Sequence, residues 1–451
     1  MENIKSYEEE ISNLDSKNRN EFIKNLIDNI VIHIRTKFYS KTMMDNDEMF
    51  VYFDGYYHEN GDKYIRSMCD KIFGKHYNGV IWKSILDKVK PQTLPRKFFI
   101  EPNNKINLKN GVLDINTLKL EPHNPDYNFL YKININYNEC ANCPEIKKFI
   151  REAVENDEDF LCLQEYIGYT LYPEYKYDKF VIIHGEGGHN RKSKVFSLIT
   201  KMLGGSDNVS SSSLQSLSKD RFECSMLYGK KANICSDITS EKIDLTGEVK
   251  RLLGFDYITA QRKHERQFQF VNKAKLMFSC NSLPIISDDT DAWWKKVILL
   301  NFSTDFSSDS HDIMNILTTE EEMEGFLNFA VIGLKRLLTK GKFSYDHDMT
   351  KERWDDYSSS EKENELDIFK EKIFDLQVGQ DNVISRDKLY DLYISNNGDK
   401  SFTKAKFTRL MTKYQNVELV KRGSSGKQEK VFINVKLKEK SVKLQIENGK
   451  H

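Results

Sequence analysis

The chain has 451 residues, with 68 lysines plus arginines balanced by 68 aspartates plus glutamates, and 39% of its residues are hydrophobic. That composition excludes a largely disordered chain, allows two or three domains with cores of their own, and confines any basic surface to a local patch. No apolar run reaches the length of a membrane span, the start Met1 to Glu10 lacks a signal-peptide core, and the seven cysteines are scattered, so a soluble, cytoplasmic protein with reduced thiols is expected.

In chain order, residues 14 to 39 place Phe22, Leu26, Ile30 and Ile34 at helical spacing on a charged background. Phe50 to Phe53, then Asp54-Gly55 and Tyr56-Tyr57, predict a hairpin, and Lys63 to Phe73 predicts a helix. Residues 98 to 137 are strand-like and rich in turns, and Pro144 to Tyr172 returns to helical periodicity. From 178 to about 305 short apolar strands alternate with helices, the pattern of a parallel α/β domain. A helix carrying Phe326, Ala330, Leu334 and Leu337 closes it. The polar stretch 346–366 reads as a charged linker, 367–438 as a helix-helix-hairpin unit, and 439–451 as a loose tail. The expected organisation is an N-terminal mixed or helical domain over 1–165, the α/β domain over 166–345, the linker, and the small C-terminal domain.

The most informative stretch is Lys179-Phe-Val-Ile-Ile-His-Gly-Glu-Gly-Gly-His-Asn-Arg-Lys-Ser193, followed by the apolar-periodic Lys194 to Leu203 and by Gly204-Gly205. It predicts a buried strand, a glycine-rich loop, Lys-Ser and a helix. In such a loop glycines let backbone N–H groups surround a polyphosphate. The lysine reaches the terminal phosphates, and the serine hydroxyl holds magnesium at the positive end of the helix. The register is imperfect. The pattern G-x-x-x-x-G-K-S calls for glycine at 186 and 191, where the chain has Glu186 and Arg191. Gly185, Gly187, Gly188, Asn190, Arg191, Lys192 and Ser193 are the expected nucleotide contacts, and Arg191 either diverts the loop or itself contacts phosphate.

Downstream, Lys231-Ala-Asn-Ile-Cys-Ser-Asp237 is an apolar strand ending in a carboxylate. That placement suits magnesium and water opposite the loop, and a strand ending in a turn-favouring aspartate reads equally well. Lys250 to Asp256 precedes Ile258 to Phe270, which alternates as a hairpin with the tip Lys263-His264-Glu265-Arg266. A cationic tip can meet a nucleic-acid backbone, although most charged hairpin ends are simply solvated. Lys273 to Asn281 is a further strand ending in an amide, followed by Ser282-Leu-Pro284, by Asp291-Ala-Trp-Trp-Lys-Lys296 and by Val297 to Phe302.

Taken in this order, these segments resemble the superfamily 3 helicases, in the branch of phage, plasmid and poxvirus-type primase-helicases. Asn281-Ser-Leu-Pro284 is the most specific match. Ile106 to Ile115 and Cys143 to Phe149 look like the helical domain that precedes these ATPases, so the likeness spans roughly residues 45 to 305. The resemblance implies an AAA+-like parallel-sheet ATPase core with ATP and Mg2+ as cofactors. It implies Lys192 on the β- and γ-phosphates, Ser193 and Asp237 at the magnesium, and Asn281 positioning the attacking water. Lys263, His264 and Arg266 would lie on a hairpin that tracks single-stranded DNA. Lys295 and Lys296 fall where relatives carry two arginines, one of which reaches a neighbouring subunit's nucleotide, and Lys296 is the catalytic candidate. Lysine is a point charge without the planar fork that clamps a phosphoryl group.

At the C-terminal end, Arg386 to Ser395 and Thr403 to Tyr414 predict helices, and Val417 to Arg422 with Lys430 to Asn434 a hairpin. Together they resemble a winged helix, with Lys404, Lys406 and Arg409 of the second helix toward duplex DNA. Cys140-Ala-Asn-Cys143 has half the spacing of a zinc site and no matching second pair. His184 and His189 flank the loop without being expected ligands, and Trp293-Trp294 are expected to pack at a subunit or domain interface. The expected function is an ATP-dependent DNA helicase moving on single-stranded DNA as a homo-oligomeric, hexameric ring. It would serve replication of a virus, plasmid or other mobile element, in the host cytoplasm if viral, with fork or origin DNA as partner and any primase on a separate chain. The alternative is a nucleotide-binding, DNA-binding scaffold with little or no hydrolysis, and a small-molecule kinase fits less well.

Overall fold

Apolar residues at helical spacing need a partner surface, and α1 (Ser16–Lys37) finds one in α2 (Gly61–Phe73) and α3 (Gly79–Val89). Leu26, Ile30 and Ile34 share a core with Ile65, Met68, Ile81 and Ile85. Strands β1 (Met49–Phe53) and β2 (Tyr56–His58) form the expected hairpin. The computed structural model describes residues 6–37, 39–43, 48–93, 100–185, 190–264, 266–288, 290–302, 304–307, 313–377, 382–397, 404–414, 416–422 and 429–438. Within 98–137, β3 (Lys105–Leu108), β4 (Gly111–Asp114) and β5 (Leu120–Glu121) make a three-stranded antiparallel sheet.

Helices α4 (Pro144–Ala153) and α5 (Asp157–Tyr169) follow. Asn156 caps α5 by accepting from the Asp159 N–H, which satisfies one of the unpaired donors of the first turn. The boundary expected between 165 and 166 falls inside α5, because the helical spacing runs unbroken across it.

Next come β6 (Phe180–His184), α6 (Lys192–Leu203), β7 (Val209–Ser210), β8 (Ala232–Cys235), α7 (Thr246–Leu252), the hairpin of β9 (Tyr257–Gln261) and β10 (Gln267–Val271), β11 (Lys275–Cys280) and β12 (Val297–Asn301). Every residue of β6, β8, β11 and β12 is buried, as a parallel sheet covered on both faces requires. The sheet has five parallel strands in the order β12-β6-β11-β8-β7. Lys231, at the entry to β8, is buried. Its Nζ lies 3.2 Å from Glu101 Oε2 and 3.3 Å from the centroid of the Tyr131 ring. Trp293, expected at an interface, is instead wholly buried with its ring 5.5 Å from that of Phe180, because the turn before β12 folds back onto the sheet.

Helix α8 (Glu320–Lys340) lies against α5. The two backbones approach so closely that a Cβ at Gly168 would stand 2.2 Å from the Ala330 carbonyl oxygen. Gly168→Ala is therefore expected to cost about 1–3 kcal/mol through overpacking. Thermal unfolding checks this, and an unchanged Tm would mean that the helices separate freely. Buried Glu165 ties the same pair together, accepting from Arg336 Nε at 2.6 Å and from the Ser344 N–H at 2.6 Å.

Contacts divide the chain into two units, Met1–Ile238 with Ile243–Asn281 and Asp288–His347, and Thr239–Lys242 with Ser282–Ser287 and Asp348–His451. In the second, the stretch expected as a charged linker is largely helix α9 (Thr350–Ile373). Of its few apolar residues, Trp354, Leu366, Phe369 and Ile373 are buried, while Ile368 is exposed. Strand β13 (Val383–Ser385) precedes α10 (Arg386–Asn397) and α11 (Lys404–Met411), then β14 (Glu418–Arg422) and β15 (Glu429–Ile433) complete a sheet of order β13-β15-β14. The two helices and the hairpin were legible, whereas three-residue β13 was not. The tail 439–451 lies outside the described residues. Among the described residues no helix is long and apolar enough to cross a membrane.

Candidate nucleotide site

Strand β6 ends at His184, and the chain passes through residues 185–191 into α6, whose first residue is Lys192. Gly187, Gly188 and His189 lie outside the described residues. Asn190 is buried and its Nδ2 donates to the Gly185 carbonyl at 2.9 Å, closing the loop on itself. Ser193 is exposed in the first turn of α6, where unpaired N–H groups and the helix dipole favour an anion. Lys192 is only 3% exposed. Its Nζ donates to Asn281 Oδ1 at 2.9 Å and to the Gly185 carbonyl. Burial lowers its pKa below the ordinary lysine value, while nearby Cys280 and Asp237 act in the opposite sense.

The sheet register explains why these residues meet. Strand β11 lies between β6 and β8, with Cys280 level with His184 and Phe278 level with Cys235. Two residues beyond the end of β8, the N–H groups of Asp237 and Ile238 both reach Ser279 of β11. Lys192, Asn281 and Asp237, more than forty positions apart in the chain, therefore share the carboxyl edge of the sheet. Asp237 is exposed with φ 55°, and its N–H reaches Ser279 Oγ at 3.4 Å. Buried His184 pairs through Nδ1 with Asn301 Oδ1 at 3.1 Å.

Arg191 keeps the backbone that glycine would supply, with φ 65° and ψ −2°. The guanidinium lies 4.2 Å from the Phe149 ring centroid and 3.5 Å from that of Phe306. Nη1 donates to Glu152 Oε2 at 2.9 Å and to the Phe149 carbonyl at 3.0 Å. The side chain is thus engaged by α4. Nothing local announced Glu152, Phe149 or Phe306 as neighbours of the loop. The one signal available was that a non-glycine residue at that position needs an anchor elsewhere.

Lys296 stands at the opposite end of the sheet. Its carbonyl accepts from the Phe180 N–H, so it precedes β12 where Lys179 precedes β6. Five strand residues, about 16 Å at 3.3 Å each, separate that edge from the loop. Lys296 Nζ pairs with Asp178 Oδ2 at 2.5 Å, while Lys295 is exposed. The β9–β10 hairpin exposes Lys263, His264 and Arg266. Helix α7 at its base is held by Asp288, which accepts from Lys250 Nζ at 2.5 Å and Thr246 Oγ1 at 2.8 Å. On α11, Lys404 Nζ lies 3.1 Å from Asp387 Oδ1 and Arg409 is exposed, while the side chain of Lys406 lies outside the described residues. Cys140 is exposed and Cys143 buried, and among the described residues no three His, Cys, Asp or Glu side chains gather as metal ligands.

Strand, loop, Lys-Ser and helix at the carboxyl edge of a parallel sheet define an α/β protein of the phosphate-loop layout. Residues 15–155 match the family described as D5 N terminal like, and residues 183–296 match a family of unknown function (DUF5906). A protein of Acanthamoeba polyphaga mimivirus named "Putative helicase L207/L206" is 27% identical over 218 residues, 46% of this chain and 22% of that protein. The chain thus spans about a fifth of the length of that relative. Two solved structures were also similar. The A form apo structure of NrS-1 C terminal region-CTR is 12% identical, with TM-score 0.44, over 90% of this chain and 98% of that one. The A form of residues 305–718 of the same region is 12% identical, with TM-score 0.47, over 88% and 96%. Over residues 15–155 the chain thus resembles the D5 N terminal like family, and over 218 residues it resembles a viral protein named as a putative helicase.

Proposed function

We propose that this chain is an ATP-dependent DNA helicase with an AAA+-type core, moving on single-stranded DNA as a ring in the replication of a virus or other mobile element. The observation that carries the proposal is Lys192 hydrogen-bonded to Asn281 at the carboxyl edge of the sheet, with Asp237 following the end of β8 beside Ser279. Ligands of open α/β sheets bind outside the carboxyl ends of the strands. A buried ammonium, an exposed hydroxyl at a helix N-terminus and an exposed carboxylate on one edge fit a magnesium nucleotide. Lys192 binds the terminal phosphates, Ser193 and Asp237 hold the magnesium, and Asn281 orients the attacking water. Bound magnesium would neutralise charge on the phosphates. The insertion of β11 between β6 and β8 supports the AAA+ assignment, since it brings an amide sensor between the loop and the acidic strand.

The position of Lys295 and Lys296 supports a ring. Neither can reach the loop of its own chain, so a catalytic cation at this position acts on a neighbouring copy. With Lys296 paired to Asp178, exposed Lys295 is the better placed of the two. The β9–β10 hairpin would contact single-stranded DNA, and α10, α11 and the β14–β15 hairpin would form a winged helix for duplex or origin DNA. A nucleotide-holding scaffold is the second reading, favoured by the same lysines in place of arginines.

ATP turnover stimulated by single-stranded DNA tests the proposal, and nucleotide binding without turnover would leave the scaffold. Lys263→Ala with Arg266→Ala is expected to weaken single-strand binding and to reduce the slope of log affinity against log salt by about 1.4. Unchanged affinity at low salt would remove the hairpin tip from the DNA path.

A further inference from the structure

We infer that Arg191 is a positioning residue through which α4 holds the phosphate loop ready for nucleotide. The inference rests on the proposal that the loop binds nucleotide, and adds how that site is regulated. Arg191 occupies the left-handed conformation, φ 65°, that side chains disfavour. What offsets this lies off the loop, in the stacking between Phe149 and Phe306 and the pairing with Glu152. Only 6% of the Arg191 side chain is exposed. A guanidinium engaged on both faces and at one edge is no phosphate ligand. It is an anchor one residue before Lys192, at the point where the loop becomes helix.

Fixing this point fixes the start of α6 and the direction in which Lys192 leaves the backbone. A lysine and a helix start already held in place lose less freedom when a ligand arrives. The coupling is reciprocal: nucleotide in the loop must stabilise the docking of α4 on Arg191 by the same factor. The helix that touches no nucleotide therefore sets nucleotide affinity, through Glu152 and Phe149.

The test is Mg-ADP binding to the full chain by calorimetry, together with amide hydrogen exchange over residues 144–153. Arg191→Ala keeps the conformational cost and loses the anchor, so affinity is expected to fall about tenfold. Arg191→Gly loses the anchor and the cost together, and should fall less. Glu152→Ala, on a side chain 42% exposed, leaves the loop sequence intact and should weaken binding about threefold. Mg-ADP should slow exchange over 144–153 in the wild type and not in Arg191→Gly. If Glu152→Ala and Arg191→Ala bind within about twofold of wild type, or Arg191→Gly binds more tightly than wild type, the anchor is overturned while the nucleotide site stands. If wild type binds no Mg-ADP, as Lys192→Ala should not, the nucleotide site itself falls and the anchor with it. Should Arg191→Ala fail to fold, Glu152→Ala decides alone.

Discussion

Lys192→Ala is expected to weaken Mg-ADP binding by at least about a hundredfold, the scale of a lost charge-assisted hydrogen bond in a dry site, and to abolish ATP turnover. The ammonium is buried and its acceptors on the protein, the Gly185 carbonyl and Asn281, would be poor substitutes for phosphate oxygens. Burial also pulls its pKa down from the ordinary lysine value. The charged form binds phosphate, so affinity should fall on the alkaline side as pH rises through that depressed pKa. Asp237 acts to raise the pKa, so Asp237→Asn should move the alkaline limb to still lower pH. Calorimetric titration of Mg-ADP across pH measures both effects. A Lys192→Ala protein that binds within about tenfold of wild type would show that this side chain faces no phosphate.

Glu101→Ala should cost about 1–2 kcal/mol of stability at pH 7, because it removes the partner that keeps Lys231 charged in the interior and the lysine then sheds its proton. Burial already brings the Lys231 pKa from 10.5 down to about 8, against the pull of Glu101 in the other direction. The sign of the pH dependence follows. Between about pH 8 and 10.5 the unfolded chain binds the proton that the folded chain has released, so the contribution of Lys231 to stability rises with pH across that window. Below it both states are protonated and the folded state bears the full desolvation cost. The Glu101→Ala deficit should therefore shrink as pH approaches 10, and Lys231→Met with Glu101→Leu should recover most of it. Urea unfolding at pH 7 and 9.5 reads these differences. A deficit below about 1 kcal/mol at pH 7 would mean that water reaches the pair.

The elements of the site were legible because they depend on local pattern. Apolar runs gave the strands, alternation gave the β9–β10 hairpin, and Asn281-Ser-Leu-Pro284 marked a strand end with an amide. Their arrangement was less legible, since no local property of residues 275–280 says that they insert between β6 and β8. The destination of the Arg191 side chain was hidden for the same reason: Phe149 and Phe306 lie 42 positions before it and 115 after. Charge misled at 346–366, where a solvated helix surface and a linker share one composition and only Trp354 and Leu366 betray burial. Trp293 was expected at an interface because it lies just before an apolar strand, and a turn returned it to the core.

The strand order has a consequence for how the protein is made. Strand β6 takes both its neighbours from far downstream, pairing Val181 with Met277 and Phe180 with Val297. While the chain is being synthesised, the α1–α3 region can settle early, because its contacts are close in sequence. Phe180 to Ile183, wholly apolar along one strand, must wait for roughly a hundred further residues before either edge is covered. Through that interval it is an unpaired, sticky edge of the kind that aggregates or recruits a chaperone. Arg191, a few positions after that strand, meets its second aromatic partner only when the chain has reached Phe306.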